Sequence, residues 1–175
     1  GYGWRKYTDE AREFGIYCGL DIMLMRYAEI LLIYAEAKLM QGQVDASVFE
    51  AINRVRLRAG MPEVSTEISE AELMEIIRYE RKVEFAFEGL RFFDIRRWKI
   101  AEHVMPGKLY GRPLKDYEAT MIPSFDEYGA PRYDSYAEKL RQFDTRYFDP
   151  SRDYLWPIPQ KEIDINSNLD QNPNY

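Results

Sequence analysis

The chain has 175 residues, of which 46% are hydrophobic and 31% charged, with a formal net charge of −6 and a sequence pI of about 5.0. That is enough chain for one domain with a real core, and the composition is that of an ordinary globular protein. Nucleic-acid binding calls for a net basic stripe; the arginines here alternate with glutamates, so there is no net positive field.

In chain order, residues 1–20 form an aromatic-rich lead. A first helix is predicted from Met25 to Gln41, apolar on most of its circumference and therefore expected to be buried between neighbours. Gly42 is a good residue to close it. Asp45 is a reasonable N-cap for a second helix, Ala46 to Ala59, whose inner stripe is Phe49, Ile52 and Val55. Gly60-Met61-Pro62 ends that helix. Ser69-Glu70-Ala71-Glu72 is a capping box, in which the serine hydroxyl takes one orphan amide and the glutamate returns to the serine amide. It opens a third helix running to about Glu88, which Gly89 breaks. A fourth covers Leu90 to Val104 and stops at Met105-Pro106-Gly107.

Short turns between these helices imply antiparallel neighbours, paired twice over at a length close to a tetratricopeptide repeat whose residue signature is poorly matched. From Lys108 onward Pro, Gly, Asp and aromatic residues dominate. Asp126-Glu127-Tyr128-Gly129 reads as a turn between two extended runs, Thr120 to Phe125 and Ala130 to Tyr136. Leu155-Trp156-Pro157-Ile158-Pro159 cannot be helical. The expected fold is mainly α: a single domain over 1–175, with a four-helix core at 21–107. An irregular tail at 108–175, with at most short strands, packs on the helices.

Charge on inward faces is the most conspicuous chemical feature. Arg26, Glu29 and Glu36 share a stripe of the first helix, and Glu80, Glu84 and Glu88 follow one another at i, i+4 alongside Leu73 and Ile77. Arg54, Arg58, Arg91, Arg96 and Arg97 are available on other helices. A buried charge is expensive unless paired, so Glu on one helix is expected to meet Arg on the next. The competing reading, Glu80 and Glu84 as a glycosidase acid–base pair, requires a raised pKa that neighbouring guanidinium groups oppose. No catalytic residue is expected. Cys18 and His103 are the single cysteine and histidine, which excludes an internal disulfide, a Cys/His zinc site and a Glu-x-x-His di-metal site. Neither phosphate-binding glycine loop nor nucleophile elbow is present, so neither metal nor cofactor is expected. No run of about 18 uninterrupted apolar residues occurs to span a membrane.

Aromatic residues crowd the segments outside the helices: Tyr2, Trp4, Tyr7, Phe14 and Tyr17 early, then Tyr110, Tyr117, Phe125, Tyr128, Tyr133, Tyr136, Tyr147, Phe148, Tyr154 and Trp156. Flat π-faces accept the axial C–H bonds of sugar rings, and tyrosine adds a hydroxyl. Trp4, Tyr110, Tyr128 and Tyr133 are the candidate ligand-binding residues. The plainer alternative is that such side chains pack loops.

Four strings in order resemble the SusD/RagB family. Arg26-Tyr-Ala-Glu-Ile-Leu-Leu-Ile-Tyr-Ala-Glu-Ala37 and Ile52-Asn-Arg-Val-Arg-Leu-Arg-Ala-Gly60 are similar to its R-x-A-E…AEA and N-x-V-R-x-R-A-G helices. Glu80 to Trp98 resembles its E-R-x-x-E…E-G-x-R-x-x-D-x-x-R-W segment. Leu155 to Ile163 with Asn168 to Tyr175 resembles its closing P-I-P…E-I…N…Q-N-P-x-Y. The resemblance implies a C-terminal portion of a helical, lipid-anchored protein on the outer face of an outer membrane. Such proteins capture oligosaccharides or other nutrients and deliver them to a TonB-dependent, SusC-like transporter, without catalysis. The signal peptide and lipidated cysteine of the family are not matched here; Cys18 lacks the apolar leader. The matched residues imply no particular ligand contact. A docking module without its own sugar site, or more remotely a carboxylate-dependent glycoside hydrolase, would be the alternatives.

Overall fold

A computed structural model of the chain describes residues 6–7, 23–113, 123–129, 131–133 and 137–175. These fall into two compact units that divide at Arg91/Phe92, inside the fourth helix and not at the end of the expected four-helix core.

The first unit is built on three helices: α1 (Tyr27–Met40), α2 (Ala46–Arg58) and α3 (Glu70–Glu84). α1 packs on both α2 and α3. Leu32, Ala35 and Leu39 of α1 meet Val48, Ala51, Ile52 and Val55 of α2 and Leu73 and Ile77 of α3, with Val64 and Phe85 closing the core. The predicted caps form. The Asp45 carboxylate accepts from the Ser47 amide at 2.9 Å. At Ser69 both halves of the capping box are made, Glu72 N–H to Ser69 Oγ at 3.2 Å and Ser69 N–H to Glu72 Oε2 at 2.8 Å.

The C-termini share one device. After α1, Gln43 N–H reaches Lys38 O and Gly42 N–H reaches Leu39 O; after α2, Met61 N–H reaches Arg56 O and Gly60 N–H reaches Leu57 O. This is the Schellman pattern, and it requires a left-handed residue, supplied by Gly42 at φ 65° and Gly60 at φ 74°. Between α2 and α3, Asn53 Oδ1 accepts from the Val64 amide at 2.8 Å and Arg56 Nε donates to Pro62 O at 2.8 Å, so two residues of the N-x-V-R-x-R string fix the connecting loop.

Two expectations for this unit change. Only one side of α1 is covered among the described residues: Tyr27, Ile30, Ile33, Tyr34 and Met40 face outward. And α3 stops at Glu84, short of Glu88. Phe87 takes a left-handed backbone, φ 66°, and the chain passes through a turn in which Glu88 N–H donates to Phe85 O at 3.0 Å. Glu88 is thus on the turn after the helix.

α4 (Leu90–Arg97) straddles the division between units. The predicted helix to Val104 is broken in two, and α5 (Ala101–Val104) resumes after the break. The cause is a third Schellman closure: Ile100 N–H to Ile95 O at 3.0 Å and Lys99 N–H to Arg96 O at 3.1 Å, with Lys99 itself at φ 55°. Ile95 and Ile100, the apolar pair that accompanies this motif, are buried with Ala101 in the core of the second unit.

Two antiparallel ribbons follow. β1 (Gly107–Pro113) pairs with β4 (Leu140–Arg146) from Gly107↔Arg146 to Pro113↔Leu140, with register shifts either side of Tyr110. β2 (Ser124–Phe125) pairs with β3 (Pro131–Arg132) around the predicted Asp126–Gly129 turn. Asp126 organises that turn, accepting from the Tyr128 amide at 3.0 Å and from Arg132 at 2.6 Å. A 3₁₀ turn, Ala137–Lys139, precedes β4, and α6 (Gln160–Ile165) follows the non-helical Leu155–Pro159. Two tail residues, Asp153 and Tyr154, bond to helices of the second unit. Arg96 of α4 donates to the carbonyls of Asp153, at 2.5 Å, and Tyr154, and the Tyr154 hydroxyl bonds Glu102 of α5.

Candidate functional site

In the first unit the inward charges gather around Arg26, the N-cap of α1. Its guanidinium donates to Glu88 Oε2 at 3.0 Å and Oε1 at 2.7 Å, to Glu84 Oε1 at 2.8 Å and to the Glu84 carbonyl at 3.0 Å. It also lies 5.2 Å from the Phe85 ring centroid. Lys6 adds a second cation to Glu88, and Arg58 adds one to Glu84 at 2.5 Å. Hydrogen bonds donated to the Glu88 carboxylate hold the Arg26 guanidinium well above its ordinary pKa. Burial pushes the Glu88 carboxyl up, but hydrogen bonds from Arg26 and Lys6 outweigh it, and the group titrates below the usual carboxylate range.

The expected pairing of Glu with Arg on another helix therefore holds for Glu84 with Arg58. Glu80 is taken by Arg56, a partner outside the expected set of Arg54, Arg58, Arg91, Arg96 and Arg97. Arg54 instead donates to the Tyr27 hydroxyl at 2.9 Å, Arg97 pairs with Asp94 on its own helix at 2.9 Å, and Arg96 serves carbonyls. Glu80, Glu84 and Glu88 all hold strong cationic donors. Charge-assisted bonds of this kind fix the geometry of all three carboxylates.

The second unit carries the aromatic groups. Tyr110 of β1 and Tyr133, just after β3, meet edge to face with ring centroids 5.3 Å apart and planes at 61°. Tyr128 lies face to face with His103 of α5, at 4.2 Å and 5°, and packs on the Ile95/Ile100/Ala101 core. The structure thus brings Tyr110 and Tyr133 together and commits Tyr128 to a different partner. Trp4 lies outside the described residues. More exposed than Tyr110, Tyr128 or Tyr133 is Trp156, at 68%. Its ring is 6.0 Å from Phe92 and 5.5 Å from the Arg96 guanidinium, and Phe93, 66% exposed, meets Phe92 edge to face. The signal in the sequence was a tryptophan between an apolar residue and a proline in a segment that cannot fold into a helix.

Among the described residues no group of His, Cys, Asp and Glu is arranged to hold a metal ion, and no helix is long and apolar enough to cross a membrane. The geometry offers paired carboxylates engaged by cations in one unit and partly exposed rings in the other.

The SusD family model matches residues 1–175. The chain belongs to the SusD family. The SusD-like protein P2 of Formosa agariphila is 32% identical over 182 residues, covering 97% of this chain and 29% of its own length. A SusD-like carbohydrate binding protein from Bacteroides fragilis NCTC 9343 is 39% identical, with a TM-score of 0.66 over 84% of this chain and 28% of the other. A second SusD-like protein from the same organism is 37% identical, with a TM-score of 0.63 over 86% and 25%. The chain spans about 29% of the length of the curated SusD-like relative. Membership agrees with the geometry: Arg26, Asn53, Arg56, Arg58, Glu80, Glu84 and Glu88, all in the matched strings, fasten the fold.

Proposed function

We propose that this SusD-family chain is part of a cell-surface protein that captures oligosaccharide without cleaving it. The protein hands the glycan to a TonB-dependent, SusC-like transporter on the outer face of the outer membrane, where a lipid anchor holds it. The observation that carries this reading is the likeness, at 39% identity over 84% of the chain, to a SusD-like carbohydrate binding protein. The open rings of the second unit are compatible with it. The Tyr110/Tyr133 pair is the first candidate for a stacking surface, with Tyr128 on His103 and Trp4 as further candidates. Stacking of a sugar on an aromatic face needs a ring held in place, and an edge-to-face neighbour 5.3 Å away does that for Tyr110 and Tyr133.

The test is native electrophoresis through gels cast with soluble polysaccharides, with a reducing-end assay on the same mixtures. Retardation by a glycan without new reducing ends is expected. Tyr110→Ala or Tyr133→Ala should weaken it about tenfold, or about 1.4 kcal/mol. Unchanged affinity in both variants would remove the pair from the site. New reducing ends would overturn the reading of a non-catalytic binder. No retardation by any glycan would leave a docking role within the same uptake complex.

A further inference from the structure

The β1/β4 ribbon stands apart in its charge. Every described arginine outside it is engaged within the protein. Arg141 and Arg146 of β4 are exposed, and their side chains bond to none of the described residues; the same holds for Lys108 of β1. The one acid in the two strands is Asp144. In a chain of net charge −6, this is a local positive field confined to one pair of strands.

The register sets part of that charge beside the tyrosine pair. Side chains opposite one another in an antiparallel ladder share a face, as do residues two apart on one strand. Lys108 is opposite Thr145, and Tyr110 is opposite Gln142. The Gln142 amide donates to the Thr145 hydroxyl at 3.0 Å, which ties the two β4 side chains together on that face. The register shift beside Tyr110 brings these residues, three apart in sequence, next to each other. Asp144, opposite Leu109, falls on the other face and accepts from the Thr145 amide at 2.7 Å. Tyr133 meets Tyr110 edge to face, so Lys108 is the cation beside the paired rings. Arg132, which precedes Tyr133, is by contrast held by Asp126. Arg141 and Arg146 stand one position beyond Gln142 and Thr145. Strand positions are about 3.4 Å apart, so these charges add within a Debye length of about 8 Å.

Two rings and an amide suit a neutral sugar, the rings taking C–H bonds and Gln142 taking hydroxyls. An ammonium on the same face adds a preference for negative charge. We propose, on the footing of the glycan-capture reading above, that this face takes an acidic glycan, a pyranose chain bearing carboxylate or sulfate groups. A sugar ring stacks on the Tyr110/Tyr133 pair, its anionic group meets the Lys108 ammonium, and its hydroxyls meet Gln142. An ammonium is a point charge that reads sign and not shape, so uronate and sulfate are both accommodated. Arg141 and Arg146 act through their field, drawing in the charges further along the polyanion.

The test is biolayer interferometry of the whole gene product on immobilised polysaccharides in matched pairs. Polygalacturonate is set against its carboxyl-reduced form and dextran sulfate against dextran, with polyglutamate as a polyanion that has no sugar rings. At least one acidic glycan should bind about tenfold more tightly than its neutral counterpart, and the pair that does so tells uronate from sulfate. That binding should weaken as salt rises from about 0.05 to 0.5 M. Lys108→Ala should weaken it about tenfold, with the melting midpoint unchanged because the side chain is exposed, and Lys108→Arg should restore it. Tyr110→Ala should also weaken it, since charge alone does not hold the sugar. Equal affinity for the acidic and neutral members would overturn the proposal and leave glycan capture standing. Polyglutamate bound as tightly as the acidic glycan would overturn it, as would acidic-glycan binding that survives Lys108→Ala, Arg141→Ala and Arg146→Ala together. Binding to no glycan would sink the proposal and the capture reading at once.

Discussion

Arg26→Ala tests whether the carboxylate cluster holds the first unit together. The guanidinium makes hydrogen bonds to two carboxylates and one carbonyl, and its side chain is 18% exposed. Breaking a buried ion pair from one side costs about 3–5 kcal/mol, because the partner charge stays behind. Here the loss is softened, since Lys6 still reaches Glu88 and Arg58 still reaches Glu84. The expected destabilisation is therefore about 3 kcal/mol, the lower end of that range. For a unit of this size each kcal/mol moves the melting midpoint by roughly 4–8 °C, so circular dichroism should show a fall of about 12–24 °C.

The pH dependence gives a second reading of the same variant. Glu88 titrates lower in the fold than in the unfolded chain. Its contribution is complete above the unfolded carboxylate pKa of about 4.3 and is lost as pH falls through the lower folded value. The wild-type midpoint should drop more steeply than that of Arg26→Ala between about pH 5 and 3. In a double-mutant cycle with Glu88→Gln, a coupling of about 1–2 kcal/mol is expected. A midpoint within 2 °C or so of wild type, with parallel pH profiles, would refute the view that these charges fasten the helices.

Ile52→Ala empties a fully buried position at the centre of the first unit and should cost about 2–5 kcal/mol in urea denaturation. Ser69→Ala removes the capping box that opens α3 and should cost about 1 kcal/mol by thermal melting.

The helices were legible where local rules and tertiary packing agree. Asp45, Ser69/Glu72, Gly42 and Gly60 mark helix ends with side chains or backbone freedoms that act within a few residues, and each does so in the structure. The break in the predicted fourth helix was illegible because Lys99 fills a position where glycine is the usual signal; only the buried pair Ile95/Ile100 hinted at it. The early end of α3 has the same origin in Phe87. The β1/β4 ribbon joins segments far apart in the chain and is shifted in register at Tyr110, so no short window contains its pattern. The Glu–Arg logic foresaw ion pairs but not their partners. Arg56 and Arg58 share a helix, and their distribution between Glu80 and Glu84 depends on how α1 sets α2 and α3 relative to each other. Residue type alone cannot say that Tyr128 stacks on His103 while Trp156, against Phe92 and Arg96, stays largely exposed.

The segment from Ser151 to Ile158 is tied twice, at very different separations in the chain. Downstream, Gln171 brackets Ile158 through both its N–H and C=O, Asn172 reaches Trp156 O at 2.6 Å, Asn174 reaches Ser151 O at 3.0 Å and Tyr175 reaches Leu155 O at 3.0 Å. Upstream, Arg96 and Glu102 reach back across 52 to 58 residues. A short loop loses less entropy on closing than a long one. The downstream clasp is therefore the earlier event in folding, and it delivers the Tyr154 to Ile158 segment already bent for α4 and α5 to receive. During synthesis that clasp waits for Gln171 to Tyr175 to emerge. A ribosome that stalls before them leaves Trp156 and Leu155 loose and sticky, visible to proteolytic quality control.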